Sequence, residues 1–326
     1  MYYLIYHQKS TKNRITNLNA LEYFIPDDIP KEVLSYESDL SQLSVGKAGK
    51  LGALFLLLEK NDKVNKTVIK EQYSKVPLFT QRALYLEESL PSMAYIYIIS
   101  PSGGVLQGDR YRIDIKLAKN AIAHITTQGA TRLYRMDKNF ATQILNISLD
   151  RNCYFEYVPD QIIPYRNSRF YQAVNLNVND DATLIYSETI VPGRMAMGEY
   201  FDYDVCYLKT IAKNHNGALK LIDTALLEPK KNQLKRFGLL EAFNMFSNMY
   251  LLIPDKYVTI LNEKISEEII NYHKVVARCS ILPNDSGIVV RILGNMIDNI
   301  KEVTHHILKI CRQEILGAEF SGIRKN

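Results

Sequence analysis

The chain has 326 residues, 47% of them hydrophobic, and a formal net charge of +5. That is ample material for a large core, and the mild, dispersed charge with no accompanying binding motif excludes an obvious nucleic-acid partner. The longest apolar run, Leu51 to Leu58, is far short of the ~18 residues of a membrane span, so no membrane partner is expected. The opening stretch, MYYLIYHQKSTKNR, has no basic n-region and no small-residue cleavage site, so no secretory leader is expected. Cys153, Cys206, Cys279 and Cys311 lie far apart without a CxxC pair, which fits reduced thiols in a cytoplasmic protein rather than a disulfide framework or zinc knuckle. Lys230, Lys231, Lys235 and Arg236 form the densest basic cluster and read as a solvated loop and helix start. Tryptophan is absent and tyrosine numbers 22, a balance that suits strands.

Residues 1–45 read as an irregular accessory segment with Pro26, Asp27, Asp28 and Pro30, and the main body is expected over 46–326. From Gly49 the two-residue alternation of strands takes over. Ala94 to Ile99 reads as a buried strand. Tyr111, Ile113, Ile115 and Leu117 alternate with Arg112, Asp114 and Lys116. Leu145 to Leu149 and Val174 to Val178 repeat the pattern, and Ala182 to Ile190 reads as more buried. Turn residues recur at Pro101 to Gly104, Lys119-Asn120, Asn179 to Asp181 and Pro192-Gly193, so a sandwich, barrel or solenoid is expected rather than βαβ units. Farther on, apolar residues at 239, 240, 243, 246 and 250 predict a helix over Phe237 to Leu252. Ser266 followed by two glutamates predicts a helix over Ser266 to Ala277. Gly287 to Leu293 predicts a strand, and Met296 to Leu316 carries the clearest helical stripe.

Two segments stand out: SPSGGVLQGD at Ser100 to Asp109 and TTQGATRLYR at Thr126 to Arg135. Gly103, Gly104 and Gly108 allow positive φ and close backbone approach. The first segment ends Gly-Asp-Arg, not the Gly-Lys-Ser/Thr of a P-loop, and leads into a strand, not the helix of a dinucleotide fingerprint. It therefore reads as a strand-to-strand corner presenting Asp109. Further carboxylates are Glu156, Asp160, Glu188 and Glu199, near Arg110, Arg166 and Arg194. Such groups can do acid–base work or hold a divalent cation through oxygen, and more commonly cap turns. His305-His306 cannot share one helix face, and His124 reads as packed or exposed in its strand rather than as a ligand. Cys206, after Asp202 and Asp204, is a weak metal candidate beside its reading as a buried thiol.

Five segments in order, VPLFTQRALYLEES (Val76 to Ser89), SPSGGVLQGD, TTQGATRLYR, FEYVPDQIIPYRNSRFYQ (Phe155 to Gln172) and PGRMAMGEYFD (Pro192 to Asp202), resemble the urease accessory protein family UreD, also called UreH. The late VVARCSILPNDSGIVVRILGN fits the same family, and the resemblance runs from about Lys50 to the end. It implies a mainly β fold, an elongated helix-like stack of strands with α-helices near the C-terminus. It implies a maturation factor without turnover of its own, which joins UreF and the GTPase UreG on urease apoprotein and passes nickel through an internal passage. No tightly bound cofactor is implied, only nickel in transit. On that reading Asp109 and Glu199 are the first choices for the metal path. Gly103, Gly104, Gly108, Thr127, Gln128, Arg132, Tyr134, Arg194 and Gly198 belong to structural or partner-contact motifs. A β-solenoid or β-sandwich hydrolase using Asp109 and Glu199 is the alternative.

Overall fold

The computed structural model describes residues 21–38 and 49–322. Seventeen strands are formed by the described residues. The first nine are β1 (Leu51–Asn61), β2 (Lys66–Lys75), β3 (Phe79–Thr80), β4 (Ala94–Ile99), β5 (Arg110–Leu117), β6 (Ile122–Thr127), β7 (Thr131–Leu133), β8 (Ala141–Leu149) and β9 (Tyr154–Tyr157). They are followed by β10 (Ile162–Pro164), β11 (Arg169–Val178), β12 (Thr183–Ile190), β13 (Val205–Lys213), β14 (Leu219–Leu227), β15 (Met245–Leu252), β16 (Val275–Ile281) and β17 (Ile288–Gly294). The helices are α1 (Lys31–Leu34), α2 (Val258–Ile269) and α3 (Ile297–Leu316).

The strands form two stacked sheets. The outer sheet runs β14-β13-β11-β8-β5-β1-β2, and the middle sheet runs β16-β17-β15-β12-β9-β6-β4-β3. From β4 to β13 the chain coils, giving a strand to each sheet in turn, so neighbours within a sheet are parallel. This is a mainly β, solenoid-like stack with helices near the C-terminus, as expected. Helices α2 and α3 cover the far face of the middle sheet, which is why β12 is buried at all eight positions. Its even residues, Leu184 and Tyr186 among them, enter the inter-sheet core; Ile185 joins Met249, Ile292, Ile300 and Leu308 under the helices.

The helical spacing over Phe237 to Leu252 resolves into turns followed by strand β15. Because β15 is buried on both faces, with Tyr250 and Leu252 on one side and Met249 and Leu251 on the other, its apolar run is nearly continuous and mimics a 3.6-residue stripe. The helix placed at Ser266 to Ala277 begins earlier, at Val258, and ends at Ile269, leaving Val275 onward to β16. Ser266 lies inside α2 with its hydroxyl 2.9 Å from Cys279 Sγ, so it is no cap. The helix expected from Met296 runs from Ile297 to Leu316.

Residues 1–20 and 39–45 of the accessory segment lie outside the described residues. Residues 21–38 pack on the outer face of the outer sheet. Phe24 and Val33 are fully buried there. The Tyr23 hydroxyl donates to Asp114 Oδ2 at 2.7 Å, and Arg112 stacks 4.0 Å from the Tyr23 ring. Asp28 pairs with Lys209 and accepts from the Tyr171 hydroxyl.

One buried ion cluster ties α3 to the middle sheet. Arg312 is fully buried, with Nε 2.8 Å from Glu156 Oε1 and Nη2 2.6 Å from Glu156 Oε2. Its Nη1 donates to Glu87 Oε1 at 3.0 Å and to the Tyr95 hydroxyl at 2.7 Å. His124, buried in β6, meets Glu156 Oε2 at 2.6 Å through Nδ1. The Ser321 hydroxyl closes the cluster onto Glu87 Oε2 at 2.6 Å.

A cavity between the sheets as the candidate functional site

The inter-sheet core is not filled by side chains throughout. At the end of the stack bearing the SPSGG and TTQGA corners it opens into a cavity of about 320 Å³. At ~30 Å³ per water this could hold about ten waters, or a cation with its hydration shell. Strand alternation sends Tyr111, Gln143 and Gln172 into it from the outer sheet and Tyr157, Tyr186 and Glu188 from the middle sheet. Ser102, Gly103, Gly104, Thr127, Gln128 and Arg132 surround its mouth. Only Glu188 and Asp160 bring carboxylates to the wall, and among the described lining residues there is no cysteine or histidine. The donor set is carboxylate, amide, hydroxyl and carbonyl oxygen.

Glu188 is 4% exposed. Its Oε2 accepts from the Tyr186 hydroxyl at 3.0 Å and from Gln172 Nε2 at 3.3 Å, and its Oε1 accepts from Asn248 Nδ2 at 3.4 Å. Gln143 Nε2 donates to Gln172 Oε1 at 3.1 Å. On the other side Arg291 donates to Asn248 at 2.8 Å and to Asp223 at 2.6 Å, carrying the polar stripe to the surface. Burial pushes the Glu188 carboxyl up to about 7, against the lowering effect of the Asn248 and Tyr186 hydrogen bonds. It therefore holds its proton to higher pH than an exposed carboxyl does.

The two glycines of the mouth have a steric cause. A Cβ at Gly104 would sit 2.5 Å from the Arg132 carbonyl and 2.4 Å from the Tyr134 ring, and one at Gly103 would meet the Tyr134 hydroxyl at 3.0 Å. The close approach lets the Val105 N–H donate to the Arg132 carbonyl at 2.8 Å, which joins the two corners. Gly108 takes φ 73° and Gly198 φ 72°, the left-handed region that glycine tolerates.

Asp109 and Glu199, the pair favoured from sequence, do not line this cavity. Asp109 is fully buried in its corner. Its Oδ1 accepts from the Lys50 N–H at 2.8 Å, and its Oδ2 accepts from the Leu106 N–H at 2.9 Å and the Tyr111 hydroxyl at 2.8 Å. It organises the turn and orients Tyr111, whose ring forms cavity wall. Glu199 takes Arg194 Nε at 2.8 Å on Oε2 and pairs with Arg194 Nη2 through Oε1, which pins the 192–202 corner. The Arg194 hydrogen bond holds its carboxyl below the usual range despite burial. Asp109→Ala strands two part-buried N–H groups and a buried phenol, so a loss of about 2–4 kcal/mol is expected; thermal unfolding by circular dichroism checks it, and an unchanged midpoint would refute the corner role. Cys206 is fully buried, its thiol pushed up by burial, while Asp204 pairs with Arg169 and Lys230. Among the described residues no group of three or more His, Cys, Asp or Glu is placed to hold a metal ion.

Glu188 and Asp160 were visible in the sequence only as two carboxylates among five. The available signal was alternation: Glu188 shares phase with Leu184, Tyr186 and Ile190, so it had to point into the core.

Comparison with known proteins places this architecture. Residues 51–325 match the family model described as UreD urease accessory protein, starting at the first residue of β1. The chain is similar to the urease accessory protein UreD of Cenarchaeum symbiosum (strain A), 40% identical over 286 residues, covering 88% of this chain and 100% of that protein. It is 37% identical over 290 residues to the urease accessory protein UreD 2 of Brucella suis biovar 1, with 88% and 95% covered. Against the UreD protein of Yersinia pseudotuberculosis it is 34% identical over 288 residues, with 88% and 89% covered. With its whole two-sheet body and both C-terminal helices inside the matched span, the chain belongs to the UreD urease accessory protein family.

Proposed function

We propose that this chain is a urease maturation factor, not an enzyme in its own right. It joins UreF and the GTPase UreG on urease apoprotein in the cytoplasm, and its inter-sheet cavity conducts nickel toward the urease active site. Family membership supports the maturation role. The observation that carries the conduction step is Glu188, a buried carboxylate in a cavity of about 320 Å³ whose partly apolar wall also presents amide, hydroxyl and carbonyl oxygens.

The donor chemistry suits transit rather than storage. Thiolate and imidazole sets bind nickel tightly and would trap it. Isolated carboxylates with amide, hydroxyl and carbonyl neighbours give shallow sites, and conduction needs binding weak enough to leave. Nickel is cargo here, taken up and released.

The test is reconstitution. Urease apoprotein, UreF and UreG are mixed with nickel and bicarbonate, with and without this chain. Activation is expected only when the chain is present, together with its co-purification with UreF and UreG. Full activation in its absence would overturn the proposal.

A further inference from the structure

The middle sheet has a window beside Glu188. On its β9 side, β12 is paired through Tyr186, and pairing resumes only at Ile190, opposite Ile162 of β10. Ser187, Glu188 and Thr189 therefore have no partner strand on that edge, although β15 pairs them on the other. The segment facing the gap is Val158-Pro159-Asp160-Gln161. Proline cannot donate to a ladder, and side chains take over: Thr126 Oγ1 donates to the Val158 carbonyl at 2.6 Å, and the Asp160 N–H donates to Thr127 Oγ1 at 2.9 Å.

A second cavity, of about 200 Å³, lies on the helix side of this window, between the middle sheet and the first half of α3. Pro159, Asp160 and Thr189 line both cavities. At that shared wall Lys301 of α3 places its Nζ 2.9 Å from Asp160 Oδ1. The Asp160 side chain is 9% exposed and that of Lys301 is 41% exposed, so the ammonium can swing out to water while the carboxylate stays. The groove beyond also holds Gln161, whose buried Oε1 has no hydrogen-bond partner among the described residues, and His305.

We infer that the inter-sheet cavity continues through this window into the groove beneath α3, and that Lys301 is its latch, held on Asp160 until an arriving divalent cation displaces it. This rests on the reading that the cavity conducts nickel and adds its direction and its gate. The exchange is one of charges only: the cation leaves Glu188, takes the Asp160 carboxylate as the ammonium withdraws, and is expelled when the ammonium returns. A latch of this kind keeps the ion from lodging at Asp160.

Two measurements test it. In a Cys279→Ser background, chosen because the other three cysteines are buried, Gln128→Cys marks the cavity mouth and Gln161→Cys marks the groove. Each chain is labelled with a benzyl methanethiosulfonate, assembled, assayed for urease activation per complex recovered, then released with a phosphine reductant and assayed again. Reversible block at both positions is expected. Block at Gln128 alone would overturn the window while leaving the cavity reading intact. Block at Gln161 alone would disconnect the groove from the cavity and overturn the inference, and block at neither would overturn the cavity reading with it. The second measurement needs no assembly: equilibrium dialysis of the purified chain against nickel. Lys301→Met is expected to retain nickel about five- to tenfold more tightly, the worth of one partly exposed ion pair, and Lys301→Met/Asp160→Asn to return to the parent value. An unchanged affinity in Lys301→Met would overturn the latch.

Discussion

Arg312→Met is expected to lower the stability of the whole chain by about 3–5 kcal/mol, the cost of leaving a buried charge without its partner. For a body of this size that is roughly a 10 °C fall in unfolding midpoint. Methionine fills much of the volume, so the loss is electrostatic. Glu156 keeps only His124 and the Tyr154 hydroxyl, and Glu87 keeps Tyr95 and Ser321. The pH dependence separates this from a packing defect. Burial would raise the Glu156 carboxyl, but Arg312 and His124 outweigh it and hold it down at about 2. A carboxyl depressed on folding contributes stability that is present above its ordinary value near 4.5 and is lost as pH falls toward 2. Without Arg312 the burial effect remains, so protonating Glu156 should relieve the variant. Its deficit against the parent should therefore shrink between pH 8 and pH 4, measured by urea unfolding. A deficit equal at both pH values would refute the charge argument.

The sequence carried the strand stack well and the site poorly, for a physical reason. Alternation survives wherever one sheet face meets core and the other meets polar surroundings, as in β5, β8 and β11 of the outer sheet, and those strands were readable. Helix α3 was readable because one side packs on the middle sheet while Glu302 and Lys309 stay exposed. β15 was not, since burial on both faces erases its period. The glycine corners were located, but the hydrogen bonds of their carboxylate were not: Asp109, the acid most conspicuous beside a turn, uses both oxygens on backbone and Tyr111. Which acids share a cavity depends on how coils about 30 residues apart stack, and neither local pattern nor family resemblance supplied that from sequence. Residues such as Gln143 and Gln172, 3.1 Å apart and one coil removed, give no local signal at all.

Glu188→Gln is expected to make the chain more stable and less useful. A carboxyl raised on folding to about 7, from an ordinary value near 4.5, leaves stability untouched below pH 4.5 and removes it progressively as pH rises to 7. That span corresponds to about 3 kcal/mol. Glutamine has no charge to desolvate; its one carbonyl oxygen can accept from Tyr186 and Gln172, while its amide nitrogen, like the hydroxyl of the protonated carboxyl, is a poor partner for Asn248 Nδ2, so the variant should match the parent near pH 4 and exceed it by up to about 3 kcal/mol at pH 8. Activation of urease apoprotein should move the opposite way, falling about tenfold, as for one lost contact to a charged group of ~1.5 kcal/mol. Both readouts are needed, because a structural glutamate would lose stability on substitution, whereas a carboxylate kept buried for transit destabilises the fold that holds it. Glu188→Gln that activates urease like the parent would remove the cavity glutamate from the nickel path, whatever its effect on stability.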